Sequence, residues 1–171
     1  MTFSELAKSR YSVRKYKADP IPESILNQIL EAGRVAPTAC NYQPQRIYVV
    51  QTEENRKKLA AVSPCTFDAP VILVVCYDKD RDAKSRLMPG YTFGEMDSTI
   101  VCTHMMLQAW ELGIGSCWVG MFNDQEVAKT LNLPENVHVA ALLPLGWPAE
   151  DAKPAGLHDS IRDFADTIAY L

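Results

Sequence analysis

Three short segments carry the residue types best suited to chemistry, and the first lies near the start of the chain, where Arg10, Ser12 and Arg14 alternate. In an extended segment, residues two apart project from one face. Guanidinium forks match the oxygens of a phosphate, and a serine hydroxyl adds a short hydrogen bond without bulk. The same spacing also suits a solvated basic strip. The second segment is Pro37-Thr38-Ala39-Cys40-Asn41-Tyr42-Gln43-Pro44. Its amides, Asn41 and Gln43, can both donate and accept, as needed to read the edge of a heteroaromatic ring. They can equally satisfy their own backbone in a turn. The third is Pro144-Leu145-Gly146-Trp147-Pro148, where an apolar run stops at a glycine between prolines. A glycine there lets a ligand approach the backbone, or simply ends a strand.

Other chemistries find little support. His104, His138 and His158 are far apart, and Cys102 and His104, two apart on an expected helix, diverge, so no metal site is expected. Gly113-x-Gly115 lacks the third glycine of a dinucleotide loop and follows a helix, not a strand. The five cysteines form no CxxC pair and read as reduced thiols. Cys76 and Cys117 sit in apolar runs and read as small core residues.

These segments need elements to hold them. Phe3 to Lys8 reads as a short helix, and a second follows Pro22, at its first helical position, with Ile25, Leu26, Ile29, Leu30 and Ala32 as an apolar stripe ending near Gly33. Two prolines and small polar residues bar regular structure from 37 to 44, which leads into a strand from Arg46 to Gln51. Acidic residues open a surface helix from Glu53 to Val62. Val71 to Tyr77 has no polar alternation and is β-branched, the mark of a strand covered on both faces. Asp78 to Gly94 reads as a long loop. Glu95 to Leu112 reads as a helix apolar around most of its circumference, which must be buried all round. A core position and a dimer interface both satisfy that requirement. Ser116 to Val119 is a short strand, Asp124 to Leu131 a helix capped by Asn123, and Val137 to Leu145 a strand. Leu157 to Leu171 is an amphipathic or extended tail. Helices interleaved with strands indicate an α+β or α/β sandwich.

The 171 residues suffice for one domain, and no repeat, low-complexity tract or Gly/Ser linker divides them. A formal charge of -4 argues against a nucleic-acid partner. Met1 to Arg10 resembles neither a signal peptide nor a membrane span, so a soluble, cytoplasmic protein is expected.

In their order, the motifs resemble the nitroreductase family of flavoproteins over nearly the whole chain. The family's Arg-x-Ser-x-Arg/Lys is similar to Arg10 to Arg14, its Ala-x-x-Ala-Pro-(Ser/Thr) to the stretch Ala32 to Thr38, and its Asn-x-Gln-Pro to Asn41 to Pro44. Leu112-Gly113-Ile114-Gly115-Ser116-Cys117-Trp118-Val119-Gly120 and Gly146-Trp147-Pro148 match two further segments. The resemblance implies a nitroreductase-like α+β three-layer sandwich, a mainly antiparallel central sheet flanked by helices, forming one domain with a C-terminal arm from about residue 157. It implies an FMN-dependent oxidoreductase that takes electron pairs from NADH or NADPH and passes them through flavin N5 to a small-molecule acceptor such as a nitroaromatic or quinone. A flavin-binding sensor or carrier without efficient turnover is the alternative. By the same resemblance the protein is a homodimer, with no nucleic-acid or membrane partner. Arg10, Ser12 and Arg14 would hold the phosphate and ribityl chain, and Pro37, Thr38, Ala39, Asn41 and Gln43 would line the flavin, from their own subunit or the other. Pro144, Leu145 and Gly146 would pass along the ring. No catalytic acid is required, because the flavin carries the redox chemistry. The family's C-terminal basic pair is matched by Lys153 alone, with no arginine before Arg162. The helical insertion that roofs the pocket of many relatives is missing.

Overall fold

The computed structural model describes all 171 residues. Six helices, α1 (Phe3–Ser9), α2 (Glu23–Arg34), α3 (Glu53–Val62), α4 (Gly94–Glu111), α5 (Asp124–Thr130) and α6 (Phe164–Thr167), surround four strands. The strands are β1 (Gln45–Val50), β2 (Val71–Asp78), β3 (Gly115–Ser116) and β4 (Val137–Gly146). They form one sheet in the order β1-β2-β4-β3, every neighbour antiparallel. No helix is long and apolar enough to cross a membrane.

The unbroken apolar run of β2 follows from its central place. Val71, Leu73 and Val75 face α2 and α4 in one core cluster, while Ile72, Val74 and Cys76 face the opposite layer with Leu59 of α3 and Val127 of α5. Alternate side chains of a strand point to opposite faces, so a strand covered twice has no polar positions to spare. In β4 the register against β2 shifts at Ala140, with Val139 opposite Cys76 and Ala141 opposite Val75. A bulge of one residue reverses side-chain parity. Val137 and Val139 therefore share the α3/α5 layer with Leu142, while Ala141, Leu143 and Leu145 enter the other.

Local signals set several helix ends. Thr2 and Glu5 form a reciprocal capping box at α1, and the side chains of Thr52 and Asn123 cap α3 and α5. Pro22 stands one position earlier than expected, as the cap of α2, and that helix runs one residue past Gly33. Gly33 lies where α2 crosses α4, because a Cβ there would come within 2.7 Å of Met105.

Helix α4 is not buried all round. Val101, Cys102, Met105 and Ala109 are sealed in the core, but His104 and Glu111 are exposed and Leu107 is half-buried. The chain covers one side of the helix and leaves the other open. After Gly156 the arm exposes Leu157, Ile161, Phe164, Ile168, Tyr170 and Leu171.

Candidate functional site

Beyond α1 the backbone is extended. Val13 donates its amide to the Ser116 carbonyl at 2.8 Å, and Ser12 bridges Ser116 in parallel fashion beside β3. Val13 is fully buried against Gly115, where a Cβ would lie 2.7 Å from its methyl. Side chains alternate along an extended chain, so burying Val13 turns Ser12 and Arg14 to the other side. Tyr16 then locks the segment, its hydroxyl donating to the carbonyls of Val13 at 2.7 Å and Pro144 at 3.3 Å. Burial pushes the Tyr16 phenol up, keeping it a neutral donor.

Positive charge converges near this strip. Burial raises the Cys117 thiol, while the charges of Arg14 and, less strongly, Arg10 pull it down. Ser116, the bridge partner of Ser12, is buried with its hydroxyl lacking a hydrogen-bond partner. Arg14 and Lys153 line one cleft of about 350 Å³, with Lys15, Asp151, Ala152 and the segment from Pro154 to Gly156. Lys15 is ion-paired with Asp151, whereas neither Arg14 nor Lys153 has a carboxylate partner. The cleft thus offers two cations without a carboxylate partner, although Arg14 Nη1 donates to the Ser12 carbonyl at 3.2 Å, and its far wall is tethered by the Tyr11 hydroxyl donating to the Ala152 carbonyl at 3.4 Å. Arg10 is half-buried and stays outside the cleft lining.

The 37 to 44 segment contains one 3₁₀ turn, Ala39–Asn41. Cys40, Asn41 and Gln43 all adopt left-handed backbone, with φ of 53°, 55° and 51°. Such conformations cost non-glycine residues roughly 1–3 kcal/mol each and persist only where the surroundings impose them. Here Thr38 accepts from the Gln43 amide at 3.0 Å through its hydroxyl, and Asp97 of α4 accepts from the Ala39 amide at 2.9 Å. Gln43 donates to Asn41 Oδ1 at 3.1 Å, which leaves Asn41 Nδ2 free to donate and Gln43 Oε1 free to accept. Both residues are exposed. Asp97 could not be singled out in the sequence, where an acid in the first turn of a helix reads as a partner for the helix dipole.

The end of β4 differs from its expected role. Pro144, Leu145 and Gly146 are buried by the chain itself, and a Cβ at Gly146 would lie 2.8 Å from both Pro70 and Tyr16. The glycine makes room for the chain's own side chains, where the sequence suggested room for a ligand. A larger groove of about 890 Å³ lies elsewhere, between α1, α2 and the open side of α4, lined by Phe3, Leu6, Val35 and Leu107 among others. None of the residues expected to bind a cofactor lines it.

The family model described as the nitroreductase family matches residues 7–65 and 63–147, which include both the basic strip and the strained loop. The chain belongs to the nitroreductase family. This nitroreductase-family chain is similar to a nitroreductase family protein of Clostridium difficile 630, with a TM-score of 0.92 and 35% identity over 99% of this chain and 98% of that one. An FMN-dependent nitroreductase from Clostridium difficile R20291 matches with a TM-score of 0.81 and 25% identity, covering 98% of both chains. A relative from Thermus thermophilus named NADH dehydrogenase is 33% identical, over 87% of this chain and 88% of its own length.

Proposed function

We infer that this nitroreductase-family protein is an FMN-dependent NAD(P)H oxidoreductase that reduces a small-molecule acceptor. The observation that carries the reading is the cleft where Arg14 and Lys153 stand without carboxylate partners beside the Ser12 strip. The chemistry of that donor set fits a phosphate monoester, since two cations meet a doubly charged anion and hydroxyl and amide donors complete its shell. Arg14 and Lys153 hold the phosphate, with Arg10 adding charge from outside the cleft and Ser12 reaching the ribityl chain. The loop of Pro37, Thr38, Ala39, Asn41 and Gln43 presents free amide groups to the ring edge. Pro144, Leu145 and Gly146 support the site from behind, through Tyr16, whose hydroxyl ties Pro144 to the strip.

When bound, FMN would supply the redox chemistry, carrying an electron pair from NADH or NADPH to the acceptor. The chain's own residues bind and orient. The cations offset the phosphate charge despite an acidic whole.

Assembly belongs to the same reading. The apolar groove beside α4 and the exposed apolar side chains of residues 157–171 are complementary surfaces on one chain, and a second copy covers both in a homodimer. Five free thiols suit the reducing cytoplasm. Purified protein is expected to be yellow and to release FMN, not FAD, on denaturation, read by chromatography of the supernatant. Colourless protein that cannot be reconstituted with FMN refutes the reading.

A further inference from the structure

We propose that Asp97 is a positioning residue for the reaction, its buried carboxylate on α4 holding the backbone of Ala39 and thereby setting where Asn41 and Gln43 stand. The inference rests on the reading that this loop lines the flavin.

Asp97 is 2% exposed, yet it comes from the first turn of the long core helix, 58 residues away from the loop it touches. It supplies the hydrogen bond from outside the loop to a loop amide by a side chain, Oδ1 to Ala39 at 2.9 Å. Its second oxygen, Oδ2, is buried and accepts no hydrogen bond. Burial without a partner is costly for any carboxylate oxygen, and an apolar residue would fill the same helix position at no such cost. A dipole partner does not need burial: Glu95, in the same turn, is exposed. What Asp97 has and Glu95 lacks is the contact with Ala39.

That contact sits immediately before Cys40, the first of the left-handed residues. A strained run needs a fixed point at its entry, because each residue relaxes toward negative φ once its neighbours are free to move. The Thr38 hydroxyl closes the run on Gln43 but belongs to the loop itself, so it cannot fix the loop against the body. The Asp97 bond can. It joins the loop to the helix on which the core is built, and relaxation at Cys40 and Asn41 would swing both amide side chains. Burial pushes the Asp97 carboxyl up, the Ala39 amide draws it down, and the charge of Asp82, itself accepting from the Phe93 amide at 3.1 Å, pushes it up further.

The test compares Asp97→Ala, which removes the acceptor, with Asp97→Asn, which keeps a carbonyl in its place. Amide hydrogen exchange of residues 38–43 is measured in FMN-free protein, and FMN affinity and visible circular dichroism of the flavin in reconstituted protein. In Asp97→Ala, exchange across 38–43 is expected to rise about tenfold while β2 amides hold, and FMN affinity to fall about tenfold, with Asp97→Asn restoring both. Unchanged exchange in Asp97→Ala overturns the anchor. Faster exchange with unaltered affinity and dichroism overturns instead the placement of the flavin against this loop. Should Asp97→Ala fail to fold, the unaltered protein still decides: the Ala39 amide must exchange more slowly than that of Cys40, and equal rates overturn the proposal.

Discussion

Leu107→Glu separates the covered side of α4 from its open side. Leu107 lines the groove of about 890 Å³ and is half-buried in the single chain, while Met105, two residues earlier, is 0% exposed in the core beneath Gly33. Covering a leucine side chain completely is worth about 1.5–3 kcal/mol. A symmetric dimer carries the substitution twice, so lost burial weakens association by about 3–6 kcal/mol at most, and by no more than roughly a third of that for a side chain its own chain already covers for the greater part. Roughly 1–2 kcal/mol corresponds to about five- to thirtyfold in dissociation constant. A desolvated, unpaired carboxylate in the interface adds to this. The expected result is a folded monomer by circular dichroism that sediments as a dimer only at much higher concentration. Met105→Glu behaves differently: a charge in the sealed core costs several kcal/mol against a total stability of about 5–15 kcal/mol, and the chain unfolds. Sedimentation velocity over a dilution series, with thermal melts of both variants, reads the difference. A Leu107→Glu protein with an unchanged dissociation constant refutes the dimer across this groove.

Arg14→Ala is expected to lower FMN affinity by about 1.5–3 kcal/mol, against almost nothing for exposed Lys8→Ala, and equal effects in fluorescence titrations would reduce the strip to surface. Among the thiols, Cys76 and Cys102 have their pKa pushed up to about 12 by burial and Cys117 is buried, so at pH 8 native protein is expected to release colour from a disulfide reagent rapidly at exposed Cys40, with half-buried Cys65 the only other thiol within reach. Rapid reaction of three or more thiols in folded protein would contradict the packing of the sheet.

Wherever one local physical requirement dominates, the sequence is a sufficient guide. Val71 to Tyr77 could only be a strand covered on both faces, because an unbroken β-branched run has no side to show to water. Asn123 marks a helix start through a bond that spans only three residues. Ser12 and Arg14 share a face for the same local reason, since alternation is a property of the extended chain and burial of Val13 settles its direction, while Arg10, at the end of α1, stays outside the cleft that Arg14 lines. The ordered motifs determined the family.

Contacts between residues distant in sequence decided the rest. Whether α4 is buried all round depends on how much of its circumference α2 and the sheet cover, and they cover the Met105 side but not the Leu107 side. Gly146 looks open to a ligand until Tyr16 and Pro70, 130 and 76 positions before it, occupy the space. Lys153 joins Arg14 only because the chain returns along the first segment, the Ala149 amide donating to the Lys15 carbonyl at 3.0 Å. Asp97 reads as an ordinary first-turn acid until the fold brings Ala39 to it. Periodicity and capping act over a few residues, whereas which two surfaces meet is a property of the assembled layers, and only the tertiary structure contains it.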